Sequence, residues 1–430
     1  MKKKILLTIL IVVILLGIGG AYAYFATDAF KTDKEIFFSY ISNNNMFEKL
    51  TDKKLEEYIK KQEKTPYTNK GEISISAKSD STSETSEEVK MLNDSKVTFE
   101  GKVDNNKKLA EQTLTVDVSL GVNIPIKIKR DGNTFGVQSN LLDSKFIAIK
   151  NENLKALCKR FDIESEEIPD KIEISKEQLT KEDLTTLKDK YVAILNENLG
   201  DELFSKEKID NDTVVKLKMT EKKFLDIIEK LLETTRNDEI LSDKDTVRNQ
   251  IEELIKEIKQ IDTKDGDTVE IKLYTKSKEI KKIEITVIED NNTSMKAVVE
   301  NNQNQLSIKI YEENNLIGEL SVEKQTSGND LTYIIKMIAD TEGEKAEINL
   351  NMQYKNLQSL DNVEETCDLK VSYKEDTEIG LSYKNLKTFS NNDIEIEGLN
   401  NSNATIINDA SDEELQNLLV TIFQRLGLTE

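Results

Sequence analysis

The chain has 430 residues, 37% apolar and 33% charged, with 60 Lys and Arg against 81 Asp and Glu and no His. The acidic balance excludes nucleic acid as a partner, because phosphates demand a basic footprint. The missing imidazole excludes Ser-His-Asp and Cys-His nucleophilic sites and every His-containing zinc centre.

The N-terminal stretch sets the compartment. From Ile5 to Ala26 no residue is charged, and about 20 apolar residues suffice to cross a bilayer as a helix. Met1-Lys2-Lys3-Lys4 supplies the positive flank that stays in the cytoplasm, and Tyr22, Tyr24 and Phe25 suit a membrane interface. The run therefore predicts a membrane partner through Ile5–Ala26, with positions 1–26 as cytoplasmic tip and single-pass anchor. A signal peptide cut after Ala21-Tyr22-Ala23 is the alternative. Either way positions 27–430 are exported, and the expected location is the cell membrane of a Gram-positive-type envelope with the bulk of the chain outside. Leaving out Lys2, Lys3 and Lys4, the exported part carries 57 basic against 81 acidic residues, a net charge of −24. That charge favours solubility through repulsion and opposes lying on an anionic lipid surface.

Helical periodicity follows over about 28–64. Ile36, Phe37, Tyr40 and Ile41 share one side, Asn43-Asn44-Asn45 interrupts, Leu50, Leu55, Tyr58 and Ile59 resume, and Pro66 stops the run. The period then changes to two over about 71–150. Ile73 and Ile75 alternate with polar neighbours, as do Val97, Phe99, Gly101 and Val103, then Leu114, Val116 and Val118, then Ile124, Ile126 and Ile128. Asp131-Gly132 is a turn signal, and Pro125 marks an edge strand or a bulge. The Ser- and Glu-rich stretch Lys78–Lys90 reads as an exposed connection.

Helices are expected over about 176–203 and 220–261. Leu184, Leu187, Tyr191 and Leu195 form the first stripe, with Ser175 and Gln178 as a capping box and Gly200 as a stop. Phe224, Ile227, Ile228, Leu231 and Leu232, then Val247, Ile251, Leu254, Ile258 and Ile261, suggest a helical hairpin. A short strand, "DTVVKLKM", lies between. Positions 267–398 read as a strand meander ending in "DIEIEGL", punctuated by Asp265-Gly266, Asn291-Asn292, Asn301-Asn302, Gly328-Asn329 and Asn391-Asn392. A last helix over about 411–426 has a Ser411/Glu414 capping box, a Leu415, Leu418, Leu419, Ile422 and Phe423 stripe, and Gly427 as its cap.

Strands apolar on one face and polar on the other belong to antiparallel sheets wet on one side, and the single-striped helices are their cover. The fold class is α+β: a transmembrane helix, then a large curved antiparallel sheet, a half-barrel-like meander, packed on helices. This element order resembles the lipoprotein-carrier fold of bacterial envelopes, an open half-barrel sheet with helices in its concavity. The resemblance implies an apolar cavity for a lipid, without assigning any residue to it. The stretch "FATDAFKTDKEIFFSYIS" (Phe25–Ser42) is similar to the start of uncharacterised single-pass membrane proteins from clostridia and relatives, which bring no activity with them.

Candidate chemistry is sparse. Cys158 and Cys367 lie far apart in sequence, so a Cys-rich metal centre is excluded within one chain. Cys367 shares parity with Leu369 and Val371 and reads as a buried free thiol, with a bridge to Cys158 as the alternative. Ser372–Lys374 and Ser382–Lys384 pair Ser with Lys on the wet face of strands. Asp393, Glu395, Glu397 and Gly398 are spaced like part of a calcium loop, but Ile394 and Ile396 alternate as in a strand and Ala404 stands where the closing Glu belongs. Asp262–Asp267 has Lys264 at an acid position. No catalytic, cofactor-binding or metal-ligating residue is therefore assigned, and no cofactor is expected. The expected function is a non-enzymatic, membrane-tethered extracytoplasmic protein that binds an apolar ligand, a lipid or an envelope protein in the concavity of its sheet. A cell-surface assembly factor is the first alternative and a carboxylate-based cell-wall enzyme the second.

Overall fold

A computed structural model describes residues 31–42, 46, 48–79, 89, 93, 95–118, 122–161, 169–172, 181–210, 212–241, 245–341, 344–374 and 377–427. The chain begins with helices α1 (Asp33–Ser42) and α2 (Lys53–Lys64). Six strands follow: β1 (Tyr67–Ser79), β2 (Lys96–Asp104), β3 (Leu109–Val118), β4 (Val122–Asp131), β5 (Thr134–Ser139) and β6 (Asp143–Lys150). Next come α3 (Leu154–Arg160), α4 (Lys181–Asn198), β7 (Phe204–Ile209), β8 (Asp212–Thr220), α5 (Glu221–Arg236) and α6 (Asp245–Ile258). The meander holds β9 (Thr268–Lys276), β10 (Glu279–Glu289), β11 (Asn292–Asn302), β12 (Gln305–Glu312), β13 (Asn315–Ser327), β14 (Asp330–Thr341), β15 (Glu344–Lys355), β16 (Asn362–Tyr373) and β17 (Thr377–Phe389). The short β18 (Ala404–Ile406) and helix α7 (Asp412–Arg425) close the described chain. The strands form an 18-stranded sheet, antiparallel in every described pair except β18 with β6.

Two units divide the described residues, one within positions 1–51, 175–323 and 336–343, the other within 52–174, 324–335 and 344–430. In the first, β7 to β13 pair in sequence order. Their register stacks Val215, Leu273, Ile283, Val299 and Ile308 in one apolar row. Helices α1, α4, α5 and α6 bury their stripes in the same core, through residues such as Phe37, Tyr40, Ile228, Leu231, Ile251 and Ile258. Thr220 caps α5, its hydroxyl accepting from the Lys223 N–H at 3.3 Å. In this unit the helices cover the oily face as expected.

In the second unit the order is β15-β16-β17-β1-β2-β3-β4-β5-β6-β18. Thus β1 lies beside β17, more than 300 positions away, over the whole of both strands. Asp52 caps α2, accepting from the N–H groups of Lys54 and Leu55. The Ser411/Glu414 capping box of α7 is present, and Gly427 follows that helix with φ +68°.

Several expectations are corrected. The strand "FSKEKI" (β7) was not expected: all but Phe204 of its residues are exposed, so no alternation marks it. The "DIEIEGL" stretch is no strand, and only Ala404–Ile406 pairs. Its backbone is satisfied by side chains instead, with Leu399 N–H donating to Asp131 (2.9 Å) and Lys102 donating to the Glu395 carbonyl (3.3 Å). Pro125 pairs only with Thr115 of β3, because β5 begins its pairing with β4 at Ile126. Its missing N–H therefore interrupts no described ladder on the other side. Ile59 is exposed while Tyr58 is fully buried. Asn301 and Asn302 end β11, and Gln303 takes the positive φ. Among the described residues no helix is long and apolar enough to cross a membrane. The expected span Ile5–Ala26, the Ser175/Gln178 box and most of Lys78–Lys90 lie outside the described residues.

Candidate functional site

The apolar face of the second unit is assembled by register. Successive pairs set Met352, Cys367, Tyr383 and Ile73 in one row and Leu350, Leu369, Leu381 and Ile75 in the next. Ile348, Val371, Ile379 and Ala77 form a third. Unlike the corresponding rows of the first unit, this face stays partly open: Ile379 is 53%, Ile75 39% and Leu381 37% exposed. Three rows on four strands, with strands about 4.8 Å apart, expose more oil than scattered single residues do.

At the other end of these strands the same face turns polar beneath α2. Tyr58 is fully buried and donates to Glu365 Oε1 at 2.8 Å. Asn385 Nδ2 donates to Glu365 Oε2 (3.1 Å), and Lys387 Nζ lies 3.0 Å from the same carboxylate and 3.0 Å from Gln62 Oε1. Aromatic rings pack around this pair: Tyr58 sits edge-on to Tyr354 and Phe389, and Phe99 stacks on Tyr383. Burial first, then the Glu365 charge, pushes the phenols of Tyr58, Tyr67, Tyr354 and Tyr383 up from the ordinary tyrosine range. The amide oxygens of Asn69 and Asn385 are buried there without a hydrogen-bond partner. Gly71, paired between Phe99 and Asn385, admits no side chain: a Cβ there would lie 1.9 Å from the Lys384 carbonyl oxygen and 2.6 Å from Phe99 Cζ. The arrangement is a clamp that holds α2 on the sheet, Tyr58 and Gln62 binding the Glu365–Lys387 pair and Lys61 pairing with Asp361 at 3.2 Å; sequence reasoning named Tyr58 and Phe99 but did not bring them together.

The residues singled out in the sequence do not converge. Ser382 Oγ donates to Asp368 (2.7 Å) while Lys384 reaches Glu364 at 3.8 Å. Lys374 pairs with Glu344 at 2.8 Å. Neither Ser-Lys dyad is assembled. Asp393 pairs with Lys107 (2.9 Å) and Glu397 accepts from Asn403 (2.9 Å), so the calcium-like spacing closes no loop. Cys158 and Cys367 are free and half-buried. Burial, then the Asp368 charge, pushes the Cys367 thiol up, which lowers its thiolate fraction.

In the first unit Glu221, Asp267 and Glu289 bring carboxylate oxygens within 4.8 Å of one another, the set among the described residues whose spacing matches metal ligation. The Glu221 N–H donates to the Asp267 carbonyl at 2.9 Å. With Glu221 1% and Asp267 3% exposed, the pair is out of reach of a polymer substrate. Sequence reading missed the group because its members start a helix, end a turn and end a strand.

No family model matches the chain, and no curated protein matches it. Among solved structures it is similar to the CymD monoaromatic hydrocarbon channel, with 6% identity, 76% of this chain and 89% of that one covered, and a TM-score of 0.23. It is also similar to OpdQ of Pseudomonas aeruginosa, with 4% identity, coverages of 76% and 97%, and a TM-score of 0.16. A third is intact Ap-TbpB (N and C lobes), with 9% identity, coverages of 76% and 77%, and a TM-score of 0.12. Likenesses with TM-scores this low carry no argument about this chain.

Proposed function

We propose that the chain is a non-enzymatic, membrane-tethered extracytoplasmic binding protein whose second unit takes an apolar chain ligand on the open face of its sheet. One observation carries this reading: the rows through Ile75, Leu381 and Ile379 stay exposed where the equivalent rows of the first unit are buried under helices. Four strands about 4.8 Å apart span roughly 14 Å, a width that suits an acyl chain lying along a row. The uncharged run Ile5–Ala26 supports tethering and export.

The test uses the chain from position 27 onward, purified without detergent, and a neutral fluorescent monoacylglycerol as probe. Saturable binding that is lost in Ile379→Glu and Leu381→Glu, with circular dichroism unchanged, supports the reading. Binding that survives both changes, or no saturable binding at all, overturns it. Crosslinking through the same face to a single envelope protein would favour the assembly-factor reading instead.

A further inference from the structure

The opposite, polar face of the second unit holds a recess of about 570 Å³, bordered by residues of β17, β1, β2 and β3. Its side chains follow two rows of the ladder. One runs Leu386, Lys70, Glu100, Thr113 and the other Lys384, Glu72, Thr98, Thr115. The volume falls within the roughly 300–1,000 Å³ range of small-molecule sites.

The charges in these rows do not neutralise each other. Lys70 stands directly opposite Glu100, and Glu72 directly opposite Lys384, positions from which opposite charges normally attract. Yet among the described residues Lys70, Glu72 and Glu100 enter no ion pair, and Lys384 reaches only Glu364, at 3.8 Å. The result is a gradient across the recess. Ammonium groups lie on the β17 and β1 side, carboxylates on the β1 and β2 side, and the threonine hydroxyls beyond. Neighbouring strands are about 4.8 Å apart, so the centres of opposite charge are separated by roughly 5–10 Å.

We propose that this recess binds a small zwitterion, its anionic group over Lys70 and Lys384 and its ammonium over Glu72 and Glu100. A ligand bearing one charge would meet attraction at one end and repulsion at the other, so both charges are needed for a net gain. A dipeptide spans this separation, at about 3.5 Å per residue, and so does a phosphoethanolamine group. The two share the chemistry and differ in source.

The proposal is independent of the apolar ligand on the other face. Titration calorimetry of the exported chain at low salt with diglycine, with phosphoethanolamine, and with N-acetyldiglycine and diglycine amide as singly charged controls tests it. Saturable binding of at least one zwitterion, with each control about tenfold weaker, or roughly 1.4 kcal/mol, supports the site. Whichever zwitterion binds tighter identifies the source. Lys70→Gln and Glu72→Gln should each lose about tenfold as well, while Ile379→Glu, on the opposite face, should leave the affinity unchanged. No binding by either zwitterion, equal binding by zwitterion and controls, or insensitivity to both recess substitutions overturns the proposal.

Discussion

Glu365 sits among four tyrosines with one cation for company, so its removal strands a charge. Lys387 retains about an eighth of its side-chain exposure. Glu365→Ala should therefore cost about 3 kcal/mol, whereas Glu365→Leu combined with Lys387→Met should cost clearly less, since an absent pair leaves no buried charge. Urea denaturation of the single and double variants measures the difference, and equal losses would sink the clamp. The phenols raised by that site yield a second expectation. Folded, they stay protonated where unfolded tyrosines ionise. Their contribution is thus complete below about pH 10 and shrinks as pH climbs toward their raised values. Absorbance at 295 nm should show part of the 12 tyrosines ionising only with unfolding. At Gly71, the 1.9 Å approach of a Cβ to the Lys384 oxygen predicts that Gly71→Ala loses about 1–3 kcal/mol by forcing β1 away from β17, again read by denaturation.

Among the elements, α2 shows how a polar helix is held. Its only buried residue is Tyr58, and its start is fixed by Asp52. Burial pushes the Asp52 carboxyl up, but the Lys324 ion pair at 3.0 Å and the Lys54 and Leu55 N–H groups outweigh it and hold the group below the ordinary range. A carboxyl lowered in the fold contributes fully above about pH 4 and loses that contribution as pH falls through its lowered value. Asp52→Ala should cost about 1 kcal/mol at neutral pH and progressively less as the pH falls through the lowered value of the carboxyl, which thermal melts across the acid range would show. A cost independent of pH would reject this account. Most helices and most strands were legible because each carries its own period; the seven-residue α3 is too short to show one and was not expected. Phe224 through Leu232 announce α5, and Ser411 with Glu414 announces α7. The exposed β7 has no such local mark, whereas the stretch 393–399 carries the alternation of Ile394 and Ile396 without pairing as a strand; the first was missed and the second misread.

Across the whole molecule, the acidic balance of 81 Asp and Glu against 60 Lys and Arg sets a repulsion that salt screens. Raising the ionic strength from about 10 to 150 mM, which shortens the screening length from roughly 30 to 8 Å, should raise the melting temperature; a fall would show that attractive pairs dominate. The candidate face was half visible in sequence. The alternation of Ile73 with Ile75 and of Leu369 with Val371 marks an oily side, but which sides meet depends on β1 reaching β17 across most of the chain. The same closure gathers Tyr58, Glu365 and Lys387, and aligns Lys70 and Glu72 with Lys384 and Glu100. Local spacing alone dictated the α+β class, the caps and turns and the two-faced strands, because each depends on residues within a few positions of one another. Tertiary pairing alone decided that one apolar face is buried under helices while another stays open, because register between distant strands follows from the packing of the entire sheet and not from any single segment.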